Sequence, residues 1–164
     1  MIELRAVEPD DVDFMLECEA DPSSAKWSDY SAPFSRRQLL DYALSYDADP
    51  FSAGQLRLII CNAKIPIGIL DFYDISQKDG KAFVGICLHP AFRNSKLSKL
   101  SLRASLDFAR QRLGLNQLAA KISVENPVAV ALFRAVGFSD IAILPSWHRI
   151  GPYLHDFHLM SLFL

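Results

Sequence analysis

The chain of 164 residues lacks long apolar runs, clustered cysteines and any excess of basic charge. A helix that spans a membrane needs about 20 consecutive apolar residues, and no run in this sequence approaches that length. The formal net charge of -2 at pH 7 also removes the overall attraction to phosphate backbones on which nucleic-acid binders depend. The sequence therefore predicts neither a membrane nor a nucleic-acid partner.

Cysteine is scarce, at three residues without regular spacing. Cys18, Cys61 and Cys87 each lie among apolar neighbours, which is typical of buried free thiols in a reducing compartment. The acidic residues from Glu8 to Asp13 suit neither a secretory signal nor a transit peptide. We therefore expect a cytoplasmic protein.

The chain does contain enough apolar material to form a core. Hydrophobic residues make up 51% of the sequence and charged residues 22%, which is too apolar for a disordered chain. No internal repeat, low-complexity tract or linker divides the sequence. We therefore predict a single domain over residues 1–164.

The apolar periodicity predicts an α+β chain in which helices and strands are mixed. In the first part we predict a strand at 2–6, a helix at 9–19, a loop at 21–34, a capped helix at 35–46 and a loop at 47–54. In the second part we predict strands at 56–61, 66–73 and 82–88, a helix at 97–113, a strand at 118–124, a helix at 127–136, and strands at 138–144 and 157–164. The strand His158–Leu164 is expected to offer an edge for a homodimer.

The turn between residues 88 and 98 carries the clearest chemical signal. An apolar strand, Val84–Leu88, runs through Arg93 into a long amphipathic helix, and the first turn of that helix carries Lys96 and Lys99. The first amides of a helix lack partners within it and lie at the positive end of its dipole. The turn therefore predicts a phosphate site. A solvated basic helix face, or an unrelated α+β module that binds another phosphate ligand, would show the same pattern.

A second motif follows, and the two together resemble a known family. The residues that carry the resemblance are His89-Pro90, Arg93, Asn126, Ala129, Phe133 and Gly137-Phe138. With the order of elements, they resemble the GNAT superfamily of acyl-CoA-dependent N-acetyltransferases, and within it the spermidine and ribosomal-protein N-terminal acetyltransferase branch. The resemblance spans essentially the whole chain. It implies the GNAT fold, with a central twisted sheet, mixed but mostly antiparallel, flanked by helices.

The resemblance implies acetyl-CoA as the co-substrate and no metal. It places the pyrophosphate at the turn after the strand 82–88, and the pantetheine arm in a splayed gap between the strands 82–88 and 118–124. The residues that it implies as cofactor contacts are Ile86, Leu88, Arg93, Asn94, Ser95, Lys96, Leu97, Ser98, Lys99, Asn126 and Phe133. By themselves, Asn126 also fits a helix cap and Phe133 fits core packing.

Two departures from the family pattern motivate an alternative function. The family turn has small residues where this chain has Lys96 and Ser98, and glycine there would permit positive φ and close approach to phosphate. Many members have a tyrosine at the place of Phe133, whose phenol can protonate the departing thiolate. The alternative to an N-acetyltransferase is therefore a GNAT-fold module that binds coenzyme A or a partner without turnover.

The acceptor is expected to be a small-molecule or peptide primary amine. Such an amine must lose a proton before it attacks the thioester, and Asp71 is the candidate base or amine anchor; an aspartate that faces water at a hairpin edge is the alternative. Relatives build the acceptor pocket from loops, here 20–34 and 144–156. The candidate substrate-lining residues are Trp27, Tyr30, Tyr73 and Trp147. The C-terminal histidines lack the compact spacing of a metal site.

Overall fold

The structure is a computed structural model that describes residues 1–28, 32–45, 49–93 and 95–164. Within these residues the helices are α1 Val12–Ala20, α2 Pro22–Ala25, α3 Arg36–Ser45, α4 Pro50–Ala53, α5 Lys96–Gln111 and α6 Pro127–Val136. The strands are β1 Ile2–Ala6, β2 Gln55–Asn62, β3 Ile65–Ser76, β4 Lys81–Leu88, β5 Gln117–Ser123, β6 Ser139–Ile150 and β7 Tyr153–Phe163. Short 3₁₀ turns, Pro9–Asp11 and Pro90–Phe92, precede α1 and α5.

The strands form one sheet in the order β1-β2-β3-β4-β5-β7-β6 across the described residues. Neighbouring strands are antiparallel except for β4 and β5, which run parallel. A parallel pair needs a crossover, and α5 provides it between these two strands. The predicted α+β class, with its mixed and mostly antiparallel sheet, is confirmed.

The parallel strands β4 and β5 pair over only part of their length. Cα partners run from Lys81 with Gln117 to Phe83 with Ala119, and in the described strands no pair follows. The residues Val84–Leu88 therefore have hydrogen-bonding groups on the β5 side that the sheet does not satisfy, and such groups need another partner. The predicted gap between these strands is confirmed.

The two faces of the sheet carry separate cores. Along β2, Leu58 and Ile60 pack into the cluster that α5 and α6 cover, whereas Ile59 and Cys61 pack into the cluster beneath α1 and α3. This alternation follows from the two-residue period of a strand. Leu102 of α5 is fully buried, and burying such a side chain stabilises the fold by about 1.5–3 kcal/mol.

Two helices begin as the sequence predicts. At α3, Ser35 and Gln38 form a reciprocal capping box, in which Ser35 N donates to Gln38 Oε1 at 2.8 Å and Gln38 N donates to Ser35 Oγ at 3.1 Å. At α6, Asn126 Oδ1 accepts from Ala129 N at 3.2 Å, and the helix ends at Gly137 with a φ of 114°. Both predicted caps are confirmed.

The predicted loops 21–34 and 47–54 are wrong in part, since each contains a one-turn helix. Pro22 begins α2 and Pro50 begins α4, each directly after an aspartate. Proline fixes the φ that the first helical position needs and has no amide to leave unpaired. For α4, Asp49 adds a cap by accepting from Ser52 N at 3.0 Å.

The prediction for the C-terminal hairpin is also wrong in two respects. Residues 144–156 are mostly strand, because the register passes from Leu144 opposite Phe157 to His148 opposite His155 through a bulge that contains Pro145. A bulge takes up a proline that cannot donate to the ladder. In addition, His158–Leu164 is no edge, because β7 lies between β5 and β6.

Two further predictions concern the burial of the cysteines and the lack of a membrane-spanning helix. In the described part of the chain, Cys18 and Cys61 are buried free thiols, while Cys87 is half-buried. No helix there is both long and apolar enough to cross a membrane.

Candidate active site

A cleft of about 1130 Å³ opens where β4 and β5 separate. Its lining comes from both faces of the sheet, with residues of α5 and α6 at one end and residues of α1, α2 and α3 at the other. A pocket for one drug-sized ligand measures roughly 300–1,000 Å³. The cleft therefore has room for two reactants that meet in the gap between the strands.

The turn before α5 forms one end of this cleft. Ser95 caps the helix, because its Oγ accepts from Leu97 N at 3.2 Å and its hydroxyl donates to Phe92 O at 2.8 Å. Ser95 and Ser98 line the cleft, whereas Lys96 and Lys99 are exposed beside it and Leu97 packs against the core. The other amides of this first turn have no partner within the helix, so this end can take an anion.

The turn keeps its amides open without glycine. In the described residues, positive φ angles outside glycine occur at Ala63, Lys64, Asp74 and Ser146. Lys96 and Ser98 are not among them, and Lys96 simply begins α5 with its side chain in solvent. The loss of the family glycines therefore brings no backbone strain at these two residues. The predicted contact Asn94 lies outside the described residues.

Arg93 is oriented differently from a phosphate ligand. Its Nε donates to Leu88 O at 2.8 Å, and its two terminal nitrogens donate to Ser23 Oγ and Ser24 Oγ at 2.5 and 2.6 Å. The guanidinium also pairs with Asp21 at 2.7 Å. The hydrogen bonds from Ser23 and Arg93 lower the pKa of Asp21 to about 2. The side chain of Arg93 thus ties the turn to α2.

The strand β4 and the helix α6 form the walls of the gap. Ile86 and Leu88 line the cleft, and their side chains pack into the core that α5 and α6 cover. Asn126 lines it from the start of α6. Phe133 lies further along α6, and it is only 4% exposed. Its ring contacts that of Phe138 edge-on, with 4.9 Å between the ring centroids. The Phe133 ring both packs the core and closes the cleft.

An ion-pair group lies on the sheet face towards α1 and α3. Arg57 donates from Nε and Nη2 to both carboxylate oxygens of Asp71, at 2.7 and 2.9 Å, and its Nη1 contacts Glu19 Oε1 at 2.8 Å. Burial disfavours the charge on Arg57, but attraction by Asp71 outweighs it and the pKa of the guanidinium is raised. Both carboxylates line the cleft, so Asp71 faces the site rather than bulk water.

Sequence reasoning missed Arg57 and Glu19, although one signal could have found the first. Arg57 stands alone as a charge inside the apolar run Leu56–Cys61, and a buried charge needs a partner. Its cross-strand neighbour in the sheet is Asp71, which a hairpin register would have given. Glu19 comes from a helix, so only the tertiary packing brings it here.

The aromatic residues that were predicted to line the acceptor pocket do not all lie in the cleft. Trp27 and Tyr73 line the cleft, and Tyr73 stacks on Phe83 at 5.4 Å between centroids. Trp147 does not belong to the described cleft lining; it is 59% exposed in the bulge of β6, so its prediction as a pocket residue is wrong. The bulge turns it outward because residues 144–156 continue a hairpin instead of forming a pocket loop. Tyr30 lies outside the described residues.

The C-terminal histidines each have a separate partner. His148 Nε2 donates to Lys26 O at 2.9 Å, His155 Nδ1 lies 3.3 Å from Glu125, and His158 Nδ1 lies 2.8 Å from Asp140. No group of three or more His, Cys, Asp or Glu side chains that could hold a metal occurs among the described residues. His89 caps the turn after β4, since its Nδ1 accepts from Ala91 N at 3.3 Å.

The gap, the helix start that can take an anion and the cleft open to both faces suit a protein that brings two ligands together, one of them anionic. A sequence model of the acetyltransferase (GNAT) domain matches residues 2–139. The chain therefore belongs to the GNAT acetyltransferase family, and it is an N-acetyltransferase.

Relatives of full length support this assignment. The chain is 25% identical over 166 aligned residues to the uncharacterized N-acetyltransferase p20 of Bacillus licheniformis, covering 97% of this chain and 90% of that protein. A spermidine N-acetyltransferase of Vibrio cholerae, solved with CoA and spermine, superposes with a TM-score of 0.84 at 20% identity, covering 99% of this chain and 95% of that one. A ribosomal-protein alpha-N acetyltransferase solved with coenzyme A gives 0.88 at 17% identity, covering 99% and 94%. The GNAT fold is confirmed.

Proposed function

We propose that this enzyme acetylates a primary amine by direct attack on the thioester of acetyl-CoA. The single observation that carries the proposal is the continuous cleft that joins the start of α5, through the gap between β4 and β5, to the ion-pair group of Arg57 and Asp71. The solved neighbours named above act on a polyamine and on a protein N-terminus, and both acceptors are primary amines. The reaction that fits is acetyl transfer from sulfur to nitrogen.

The cofactor end would hold acetyl-CoA mainly with backbone groups. The amides of Ser95, Lys96 and Ser98, which the helix and its cap leave free, would donate to the pyrophosphate, and the side chains of Lys96 and Lys99 would add positive charge beside it. The unsatisfied edge of β4 around Ile86 and Leu88 would pair with the amides of the pantetheine arm. Asn126 uses its Oδ1 for the cap, so its Nδ2 would be the group that contacts the arm.

The acceptor end would receive the amine beside Asp71. Each oxygen of a carboxylate can accept more than one hydrogen bond, so Asp71 can anchor an ammonium while it stays paired with Arg57. The ammonium loses one proton to Asp71 through water, and its nitrogen then attacks the carbonyl carbon of the thioester. The nitrogen releases its second proton as the carbon–sulfur bond breaks, and water carries that proton to the departing thiolate of coenzyme A, because Phe133 has none to give.

Further features remain our proposals. We expect one domain over residues 1–164, because β7 near the C-terminus pairs in the same sheet as β1. The free cysteines are consistent with a cytoplasmic location. A homodimer that extends the sheet would use an edge strand, β1 or β6, since β7 is internal, and light scattering on the purified protein would give its mass.

Calorimetric titration with acetyl-CoA and with desulfo-CoA tests the site before the acceptor is known. We expect both ligands to bind, since the contacts involve the phosphates and the arm rather than the sulfur. Turnover is then assayed with spermidine, free amino acids and short peptides as acceptors. Binding of acetyl-CoA without acetylation of any amine in the panel would contradict the proposed function.

A further inference from the structure

Lys121 of β5 is a cation inside the cleft that the roles above do not use. It lies two residues beyond Ala119, the last residue of β5 that pairs with β4, and it is half-buried in the cleft lining. Its Nζ lies 5.0 Å from the ring centroid of Phe83 and 5.6 Å from that of Tyr73. The ammonium therefore projects over the acceptor face of the sheet, at the wall of the gap opposite β4.

The two rings position this charge but do not neutralise it. An aromatic face attracts a cation through its quadrupole and carries no net charge. No carboxylate lies within ion-pair distance of Lys121 in the described part of the chain. Among the described residues, Lys121 is therefore a cation of the cleft lining without an ion-pair partner.

The other charged groups of the cleft are already paired. Among the described lining residues these are Glu19, Arg57, Asp71 and Arg93. A single guanidinium, Arg57, contacts two carboxylates, so this group keeps a formal net charge of -1, whereas Arg93 and Asp21 balance each other just outside the lining. Among these residues the cleft thus has one negative position, at Asp71 and Glu19, and one positive position, at Lys121. A ligand with an anionic group would meet the complementary charge.

Gly85 leaves the space in which such a ligand would lie. It stands opposite Asp71 in the pairing of β3 with β4, and the nearest atom to a Cβ built on it is Tyr73 Cε1, at 4.0 Å. The paired strand β3 lies roughly 4.8 Å from β4 and carries Asp71 on one side of Gly85, and Lys121 lies on the other side, across the unpaired gap. An amine nitrogen over Gly85 would have the carboxylate of Asp71 on one side and the ammonium of Lys121 on the other.

We propose that the acceptor is a primary amine that carries a carboxylate a few atoms from its nitrogen, and that Lys121 binds this carboxylate. The inference rests on the proposed acetyl transfer to an amine. The amine is directed to Asp71 and the thioester, and the carboxylate to Lys121, so one charge pattern sets both orientation and selectivity. A free amino acid and a peptide with an acidic residue next to its N-terminus would both present this chemistry.

The test is steady-state kinetics at saturating acetyl-CoA with matched acceptors. One arm compares amino acids with their carboxamides, which differ in charge and little in shape. A second arm compares tripeptides that have Glu or Gln at the second position. In one of the two arms we expect kcat/KM to be about tenfold or more higher for the acceptor with the carboxylate than for its neutral counterpart, as a charged hydrogen bond allows. The arm that shows this preference tells whether the acceptor is a free amino acid or a peptide.

Variants at Lys121 assign that preference to this side chain. Lys121→Met is expected to bring the ratio of carboxylate to carboxamide near one, Lys121→Glu to invert it, and Lys121→Arg to restore it. Lys78→Glu is the control with the same change of charge as Lys121→Glu, because Lys78 is exposed in the turn after β3 and lies outside the cleft lining. It is expected to leave the ratio unchanged. Thermal melting of all variants confirms that they are folded.

The outcomes separate the inference from the proposed function. Turnover of spermidine and of carboxamides as fast as of carboxylates would overturn the role of Lys121 and leave acetyl transfer to amines intact. A rise in the KM for acetyl-CoA in Lys121→Glu, with the acceptor ratio unchanged, would also overturn it by placing Lys121 on the cofactor. An absence of turnover for every amine, in protein that binds acetyl-CoA, would overturn the proposed function itself.

Discussion

The two ends of the cleft are built from different parts of the polypeptide. The proposed cofactor end consists of backbone: the unsatisfied edge of β4 and the free amides at the start of α5. The acceptor end consists of side chains, namely Glu19, Arg57, Asp71 and Lys121, which come from four different elements. Backbone groups stay in place when residue types change, whereas a set of paired charges depends on every member.

This difference explains why the departures from the family pattern lie at the cofactor end. Lys96 and Ser98 replace small residues there without positive φ, and Phe133 fills its place as a core ring. The amides and the strand edge remain. The comparison also predicts the opposite behaviour at the acceptor end, where removing one charged partner should be costly.

The largest effect is expected at Arg57. Replacing it in Arg57→Met would leave two carboxylates without their cation, with the Glu19 side chain 20% exposed and that of Asp71 35% exposed. A fully buried pair broken in this way costs about 3–5 kcal/mol and an exposed pair less than about 1 kcal/mol, so we expect a loss of about 2–4 kcal/mol for this half-buried group. Urea denaturation should show this loss in the free energy of unfolding, and acceptor turnover should fall with it.

The control for Arg57 is Arg36→Met. Arg36 also pairs with an aspartate, Asp13, at 2.8 Å, but both side chains are mostly exposed, so its loss should be worth less than about 1 kcal/mol. An equally small loss at Arg57 would show that the acceptor end does not depend on this guanidinium, and the comparison between the two ends would fail.

A pair of glycine variants gives the next largest effect. A Cβ at Gly68 would meet Leu88 Cδ2 at 2.5 Å and the backbone Cys87 O at 2.6 Å, whereas at Gly85 the nearest atom is 4.0 Å away. Gly68→Ala should therefore push β4, destabilise the protein by about 1–3 kcal/mol and weaken acetyl-CoA binding. Gly85→Ala should leave stability within about 0.5 kcal/mol.

The pair is measured by urea denaturation together with calorimetric titration of acetyl-CoA. Gly85→Ala should bind the cofactor as the wild type does and change the KM of the acceptor, because its methyl group enters the acceptor space. Normal cofactor affinity in Gly68→Ala would contradict the view that the position of the β4 backbone sets the cofactor site.

The third prediction separates the two roles of Asn126. Asn126→Ala removes the cap of α6 and should cost about 1 kcal/mol. Ser35→Ala removes the cap of α3 and should cost a similar amount, but Ser35 does not line the cleft. Only Asn126→Ala should also lower the affinity for acetyl-CoA in calorimetry. Equal affinities in the two variants would make Asn126 a cap and nothing more.

The same division governs what could be read from the sequence. The capped helix at Asn126, the turn after Leu88 and the partial zipping of β4 with β5 follow from local patterns and the family resemblance, and the structure has them. The group around Arg57 depends on a cross-strand register and on a helix packed from a distant segment. Local patterns do not contain that information.

Two errors have the same physical origin. Trp147 was expected in a pocket loop, because the last strands were predicted at 138–144 and 157–164 and relatives build the pocket from the loop between them. The structure instead takes Pro145 into a bulge and continues the hairpin, since Asp156 Oδ1 accepts from Ser146 N at 2.8 Å across it. The order of the last strands likewise depends on which partner β5 prefers, and that is a tertiary property.

The smallest effect concerns the residue that joins the two ends. Arg93 belongs to the cofactor turn, yet its guanidinium holds Asp21, Ser23 and Ser24 at α2, and the two serines line the cleft. The pKa of Asp21 in the folded protein, about 2, lies below its ordinary value of 3.8. A lowered pKa means that Asp21 stabilises the fold above about pH 4 and that this contribution is lost as the pH falls towards 2.

Asp21→Asn should therefore melt slightly below the wild type at pH 6, and the difference in Tm should shrink as the pH falls from 4 to 2. Asp140→Asn is the matched control, because Asp140 also has a pKa lowered by an arginine, Arg134, but lies in β6 away from the cleft lining. Both variants should lose part of the acid dependence. Only Asp21→Asn should raise the KM of the acceptor, by about twofold, as expected for the loss of one partly exposed ion pair. A rise in the KM for acetyl-CoA instead would show that the Arg93–Asp21 ion pair supports the cofactor turn rather than α2. Arg93 would then act only at the cofactor end.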